Sequence, residues 1–98
     1  MRTFLMGKVG FVEKKIWEPN CWINVVSPTQ EDIRYLIDEK GVPEAFIDDI
    51  EDVDERSRLE VEEGWTLMIM RIPFKSVDNS IPFITVPLGI IVKGDVFV

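Results

Sequence analysis

Trp65-Thr66-Leu67-Met68-Ile69-Met70-Arg71-Ile72 is nearly continuous apolar sequence, and it follows a Glu63-Gly64 turn. A short apolar run bounded by turn residues reads as a central strand, and it sets the plan of any fold this chain can adopt. Ile84 to Val92 is a second such run. Pro87 inside it lacks an N–H, which implies a strand edge or a bulge. Lys93-Gly94-Asp95 then turns into Val96-Phe97-Val98, a strand the chain leaves unfinished, so a fragment of something longer is expected. A loop is expected at Asp78-Asn79-Ser80.

The sequence before the central run divides into strands and then helices. Thr3-Phe4-Leu5 and Gly10 to Trp17 read as a hairpin with glycine at its turn. Trp22-Ile23-Asn24-Val25-Val26 is β-branched and aromatic, hence a short strand. Ser27-Pro28-Thr29-Gln30 reads as a helix start, with Ser27 as the cap, Pro28 in the first turn and Gln30 closing a capping box. Ile33, Leu36 and Ile37 follow at helical spacing, Lys40 suits the C-terminal dipole, and Gly41 ends the helix. Pro43 opens a shorter helix with Ala45, Phe46, Ile47 and Ile50 as its apolar positions. Leu59-Glu60-Val61-Glu62 alternates like a half-exposed strand. The expected core is Trp22, Ile23, Val25, Ile33, Leu36, Ile37, Phe46, Ile47, Leu67, Ile69 and Ile90.

Composition narrows the function. The 98 residues carry 11 bases and 18 acids, a formal charge of −7, which argues against a nucleic-acid partner. There is no histidine, so the commonest general base and metal ligand are missing. No nucleophile motif stands in for it, and an enzyme is not expected. Cys21 is the single cysteine; it reads as a small core residue and points to a reducing compartment. No stretch of 18 apolar residues occurs, so no membrane helix is expected within these residues. Trp17, Trp22 and Trp65 read as core aromatics rather than a stacking platform.

The charge is concentrated. Glu44 to Glu63 holds ten acids and two bases, while the rest of the chain is nearly neutral. Carboxylates are hard ligands suited to Mg²⁺ or Ca²⁺. An EF-hand frame starting at Asp52 fails, because Arg56 and Ser57 stand where an acid or amide and a glycine are needed. From composition the segment reads first as a solvated acidic face, with Arg56 and Arg58 paired to neighbouring acids.

Four blocks carry a resemblance. Trp22-Ile23-Asn24-Val25-Val26-Ser27-Pro28-Thr29 resembles the opening Trp-Ile-x-x-x-x-Pro-Thr of the cytoplasmic N-terminal domain of CorA-type magnesium transporters. Gly41-Val42-Pro43-Glu44 with Phe46-Ile47-Asp48-Asp49 is similar to that domain's next helix. Asp52-Val53-Asp54-Glu55-Arg56-Ser57-Arg58-Leu59-Glu60 resembles its Asp-x-Asp-Glu-Arg-Pro-Arg-Ile-Glu signature, with Ser57 in place of proline. Glu51 replaces a usually apolar residue. Val86-Pro87-Leu88-Gly89-Ile90-Ile91-Val92 resembles a strand of a bacterial subgroup.

The resemblance implies an α/β (α+β) fold, a mixed sheet with helices on its faces in an αβα arrangement. It implies that residues 1–98 are one cytoplasmic domain of a longer membrane protein whose stalk and transmembrane helices lie outside this sequence. It further implies a homopentamer at the inner membrane whose cytosolic Mg²⁺ closes the channel from subunit boundaries. The partners are then the stalk and transmembrane helices of the same chain and the neighbouring subunits. By position, Asp49 matches the regulatory carboxylate and Asp48 an adjacent acid found in some members. Mg²⁺ would be weakly held, and the domain alone would supply half a site. Two other readings are the same domain in a transporter of Zn²⁺ or another divalent ion, and a free-standing acidic module with a basic partner.

Overall fold

The computed structural model describes residues 1–52, 55–75 and 83–98, with the side chains of Lys8 and Phe83 excepted. The expected loop at Asp78-Asn79-Ser80 and the signature residues Val53 and Asp54 lie outside the described residues. The strands are β1 (Arg2–Lys8), β2 (Gly10–Lys14), β3 (Trp22–Val25), β4 (Arg58–Glu62), β5 (Trp65–Lys75), β6 (Phe83–Lys93) and β7 (Val96–Phe97). The helices are α1 (Gln30–Asp38) and α2 (Glu44–Glu51), both between β3 and β4 in sequence. All seven strands join one mixed sheet in the order β2-β1-β3-β7-β6-β5-β4. Every pairing is antiparallel except β3 with β7. The mixed α+β architecture inferred from sequence is therefore present.

The β1–β2 hairpin turns next to Gly10, whose φ of 80° is one glycine adopts at no steric cost. α1 starts later than its sequence suggests. Its N-cap is Thr29, not Ser27, and Asp32 rather than Gln30 closes the capping box. Ser27 has a φ of 48° and sits in the turn before the helix. Gly41, at φ 75°, ends the unit; its N–H and that of Val42 donate back to the carbonyls of Ile37 and Leu36. Lys40 lies past the helix, with its ammonium 3.3 Å from the Trp17 ring centroid rather than against the helix end.

The core lies between the helices and one face of the sheet. Ile23, Leu36, Val42, Phe46, Ile47, Trp65, Leu67, Ile69, Ile91 and Val98 form its buried cluster, with Val25, Ile33, Ile37 and Ile50 packed against it. Cys21 is fully buried, as its residue type suggests. Gly89 is required here: a Cβ would meet Ile50 Cγ1 of α2 at 2.5 Å.

Two sequence expectations are corrected. Ile91, not Ile90, faces the core, because Ile91 is opposite Leu67 and Ile90 is opposite Met68. Trp22 is only half-buried, in register with Phe97 and Leu5 rather than with the core row. The alternation in β4 is real, but its apolar residues point away from the helices. Leu59 and Val61 are exposed, while Arg58 and Glu60 are in register with the buried Ile69 and Leu67.

β5 is consequently covered on one face only. Trp65, Leu67 and Ile69 are buried, whereas Met68, Met70 and Phe74 are exposed on the other face, as are Leu88 and Ile84 of β6. Pro87 stands where β6 has β5 on one side and β7 does not reach, since β7 pairs only with Val92 and Lys93. A residue without an N–H is tolerated at such a local edge.

Candidate functional site

The acidic residues gather at the C-terminal end of α2. No basic residue occupies the last turn of that helix, so Asp48, Asp49 and Glu51 face the negative end of its dipole. Adjacent helical positions do not share a face. Asp48 is exposed and Asp49 half-buried. The structure thus places the two predicted residues side by side in sequence but in different surroundings.

Asp49 is held by Arg58, the first residue of β4. Arg58 Nη2 donates to Asp49 Oδ2 at 2.5 Å and to Glu60 Oε2 at 3.1 Å, and Nη1 donates to Glu55. Helix end, connecting segment and strand are thereby joined at one guanidinium. Desolvation alone would lower the Arg58 pKa, but hydrogen bonding by Glu60 and the charges of Glu55 and Asp49 outweigh it and raise it. Arg71 of β5 ties the connecting segment to β6, donating to the Glu55 carbonyl at 3.2 Å and to the Thr85 carbonyl at 2.8 Å. Arg56 is exposed.

The donor chemistry suits a hard cation, since Mg²⁺ takes one or two carboxylates and keeps several waters. Asp49 and the exposed Asp48 can contribute such oxygens. A complete site is not built: among the described residues no group of three or more His, Cys, Asp or Glu side chains is disposed to hold a metal ion. The Arg58 link to Glu60 is legible from strand alternation, because residues two apart share a face. The link to Asp49 spans nine positions and leaves no local signal.

A second charged cluster secures the start of α1. Asp32 is 6 % exposed; its carboxylate accepts from the Thr29 N–H at 3.0 Å and from the Met1 ammonium at 3.0 Å, and lies 3.7 Å from Arg2. The Thr29 N–H bond lowers the Asp32 pKa below the ordinary carboxylate value, against the upward pull of burial, with help from the Met1 amine and the Thr29 hydroxyl. A depressed folded-state pKa means that stability is present above the unfolded value of about 4 and is lost as pH falls through the folded one. Asp32→Ala should cost about 1–2 kcal/mol at neutral pH, from loss of the cap. Urea unfolding should show that deficit narrowing below about pH 4. A deficit independent of pH would mean that the charge of Asp32 contributes nothing.

The family model described as CorA-like Mg²⁺ transporter protein matches residues 17–98. The chain belongs to the CorA-like Mg²⁺ transporter family. This CorA-like chain also superposes on the complete CorA magnesium transporter from Methanocaldococcus jannaschii, with TM-score 0.74 and 22 % identity over 99 % of its own length and 31 % of that chain. Against the soluble domain of CorA from the same organism the TM-score is 0.75, with 21 % identity over 97 % of this chain and 38 % of that one. At these identities the structures establish a shared fold. The CorA-like chain spans about a third of the length of either relative. None of the curated proteins matches it. No helix among the described residues is long and apolar enough to cross a membrane.

Proposed function

We propose that this chain is a cytoplasmic regulatory domain of a Mg²⁺ transporter, with no catalytic activity of its own, and that it senses Mg²⁺ through Asp49 with Asp48 beside it. The observation that carries this reading is the family match, which runs through the acidic end of α2. In the transporter, a pentamer by family resemblance, acidic surfaces of neighbouring subunits repel one another where they meet. A divalent ion held by a few carboxylates turns that repulsion into a bridge and favours the closed assembly. Few direct protein ligands make the site weak, on the order of millimolar, which suits a sensor of free Mg²⁺. Met68, Met70 and Leu88 leave the sheet face away from the helices apolar and exposed.

The test is flux through the full-length transporter as a function of internal Mg²⁺. An ion shifts an equilibrium only by its differential affinity for the two states. Asp49→Asn should raise the Mg²⁺ concentration needed for closure by several-fold and leave ion selectivity unchanged. Asp48→Asn should do less. An unchanged midpoint in Asp49→Asn would place the sensor elsewhere.

A further inference from the structure

We propose that Arg58 is the built-in competitor of the divalent ion at Asp49, so that Mg²⁺ taking the Oδ2 oxygen of Asp49 must displace a guanidinium. The inference rests on the reading of Asp49 as a Mg²⁺ ligand and adds what that ligand does when the ion is away.

Three carboxylates converge on Arg58: Asp49 from α2, Glu55 from the connecting segment and Glu60 from β4. Among the described residues these three carboxylates meet the guanidinium of Arg58, with Arg71 beside them at the Glu55 carbonyl. An arginine fork is permanently charged and matches carboxylate geometry, which makes it a stronger internal partner than lysine. The Asp49 oxygen that accepts from Arg58 is of the type a hard cation takes. Two cations cannot share it without strong repulsion at short range. The backbone of Arg58 is fixed by the pairing of β4 with β5, in register with Ile69. An ion that takes Asp49 Oδ2 therefore moves the Arg58 side chain and not its backbone.

This arrangement supplies a physical source for weak affinity within the chain. The ion meets an occupied ligand and works against an intramolecular ion pair. Release of Arg58 also unties the end of α2 from β4, so ion binding and the attachment of that helix end are linked. An isolated acidic face would have no such link.

Thermal unfolding of the 98-residue chain tests the competition, comparing EDTA with about 20 mM MgCl₂ at ionic strength matched by NaCl. The parent chain should melt at nearly the same temperature in both. Arg58→Gln should melt lower in EDTA, with Asp49, Glu55 and Glu60 left to repel one another, and should gain roughly 4–8 °C from Mg²⁺. Adding Asp49→Asn should abolish the gain. Arg58→Lys keeps the charge without the fork and should show a smaller gain, so the test survives if Arg58→Gln does not fold.

A response to Mg²⁺ in Arg58→Gln no larger than in the parent would overturn the proposal. So would a response that persists after Asp49→Asn. If the parent already gains through Asp49 and Arg58→Gln gains no more, Asp49 is a ligand and Arg58 does not compete for it. The flux midpoint of Asp49→Asn judges the sensor role separately.

Discussion

Phe46→Ala should cost about 3–5 kcal/mol. Phe46 is in the first half of α2, has no exposed surface and belongs to the central buried cluster. α2 is only eight residues long, and its N-cap, Pro43, makes no side-chain cap bond. A helix so short does not persist on its own propensity, and its stability comes from the apolar face it buries. Removing the ring leaves a cavity and loosens the element that carries Asp48 and Asp49. Small domains have about 5–15 kcal/mol in total, so the variant should be partly unfolded at moderate temperature. Urea unfolding with tryptophan fluorescence measures the change. A loss below about 1 kcal/mol would show that α2 is not anchored through this ring.

Ile69→Ala should follow, at about 2–5 kcal/mol, and its neighbour makes the comparison informative. Ile69 is 2 % exposed and faces the helices, while Met68 is 36 % exposed on the opposite face. Met68→Ala in the same chain should change stability by no more than about 0.5 kcal/mol, the usual range for exposed positions. A one-residue slip of β5 would exchange the two effects, because side chains alternate strictly along a strand. Equal losses at both positions would mean that the open face is covered in solution.

The strands and helices were largely legible because each carries its own period. β3 is a β-branched aromatic run, and α1 and α2 place apolar residues at helical spacing. Ambiguity arose where two frames satisfied one rule. Ser27 with Gln30 and Thr29 with Asp32 are both capping boxes on paper. The Met1 ammonium and Arg2, far away in sequence, gather at Asp32 and accompany the second frame.

Leu88 to Val92 has no alternation to read, so the sequence points to Ile90 where pairing with β5 puts Ile91 in the core. β4 shows its period plainly, yet nothing local says which face meets the helices. That follows from its register with Ile69 and Leu67. At the candidate site, Asp49 was located by resemblance. Its partner Arg58 was not, because the contact depends on how α2 is laid across the sheet.

The single parallel junction in the sheet has a consequence for the order of assembly. Among the described residues, the sheet's two local blocks, β2-β1-β3 and β6-β5-β4, are bridged by β7, where Trp22 is in register with Phe97. The Asn20 N–H donating to the Asp95 carbonyl lies beside that seam. Partners some seventy-five positions apart in sequence must find one another before the sheet is continuous, and such distant contacts form late and slowly. On the ribosome, where chains emerge from the amino end, the first hairpin, both helices and the long β5 are all made before the two-residue strand that unites them. Until Val96 and Phe97 are in place, the edges of β3 and β6 that they join stay unpaired, and unpaired strand edges are prone to aggregate.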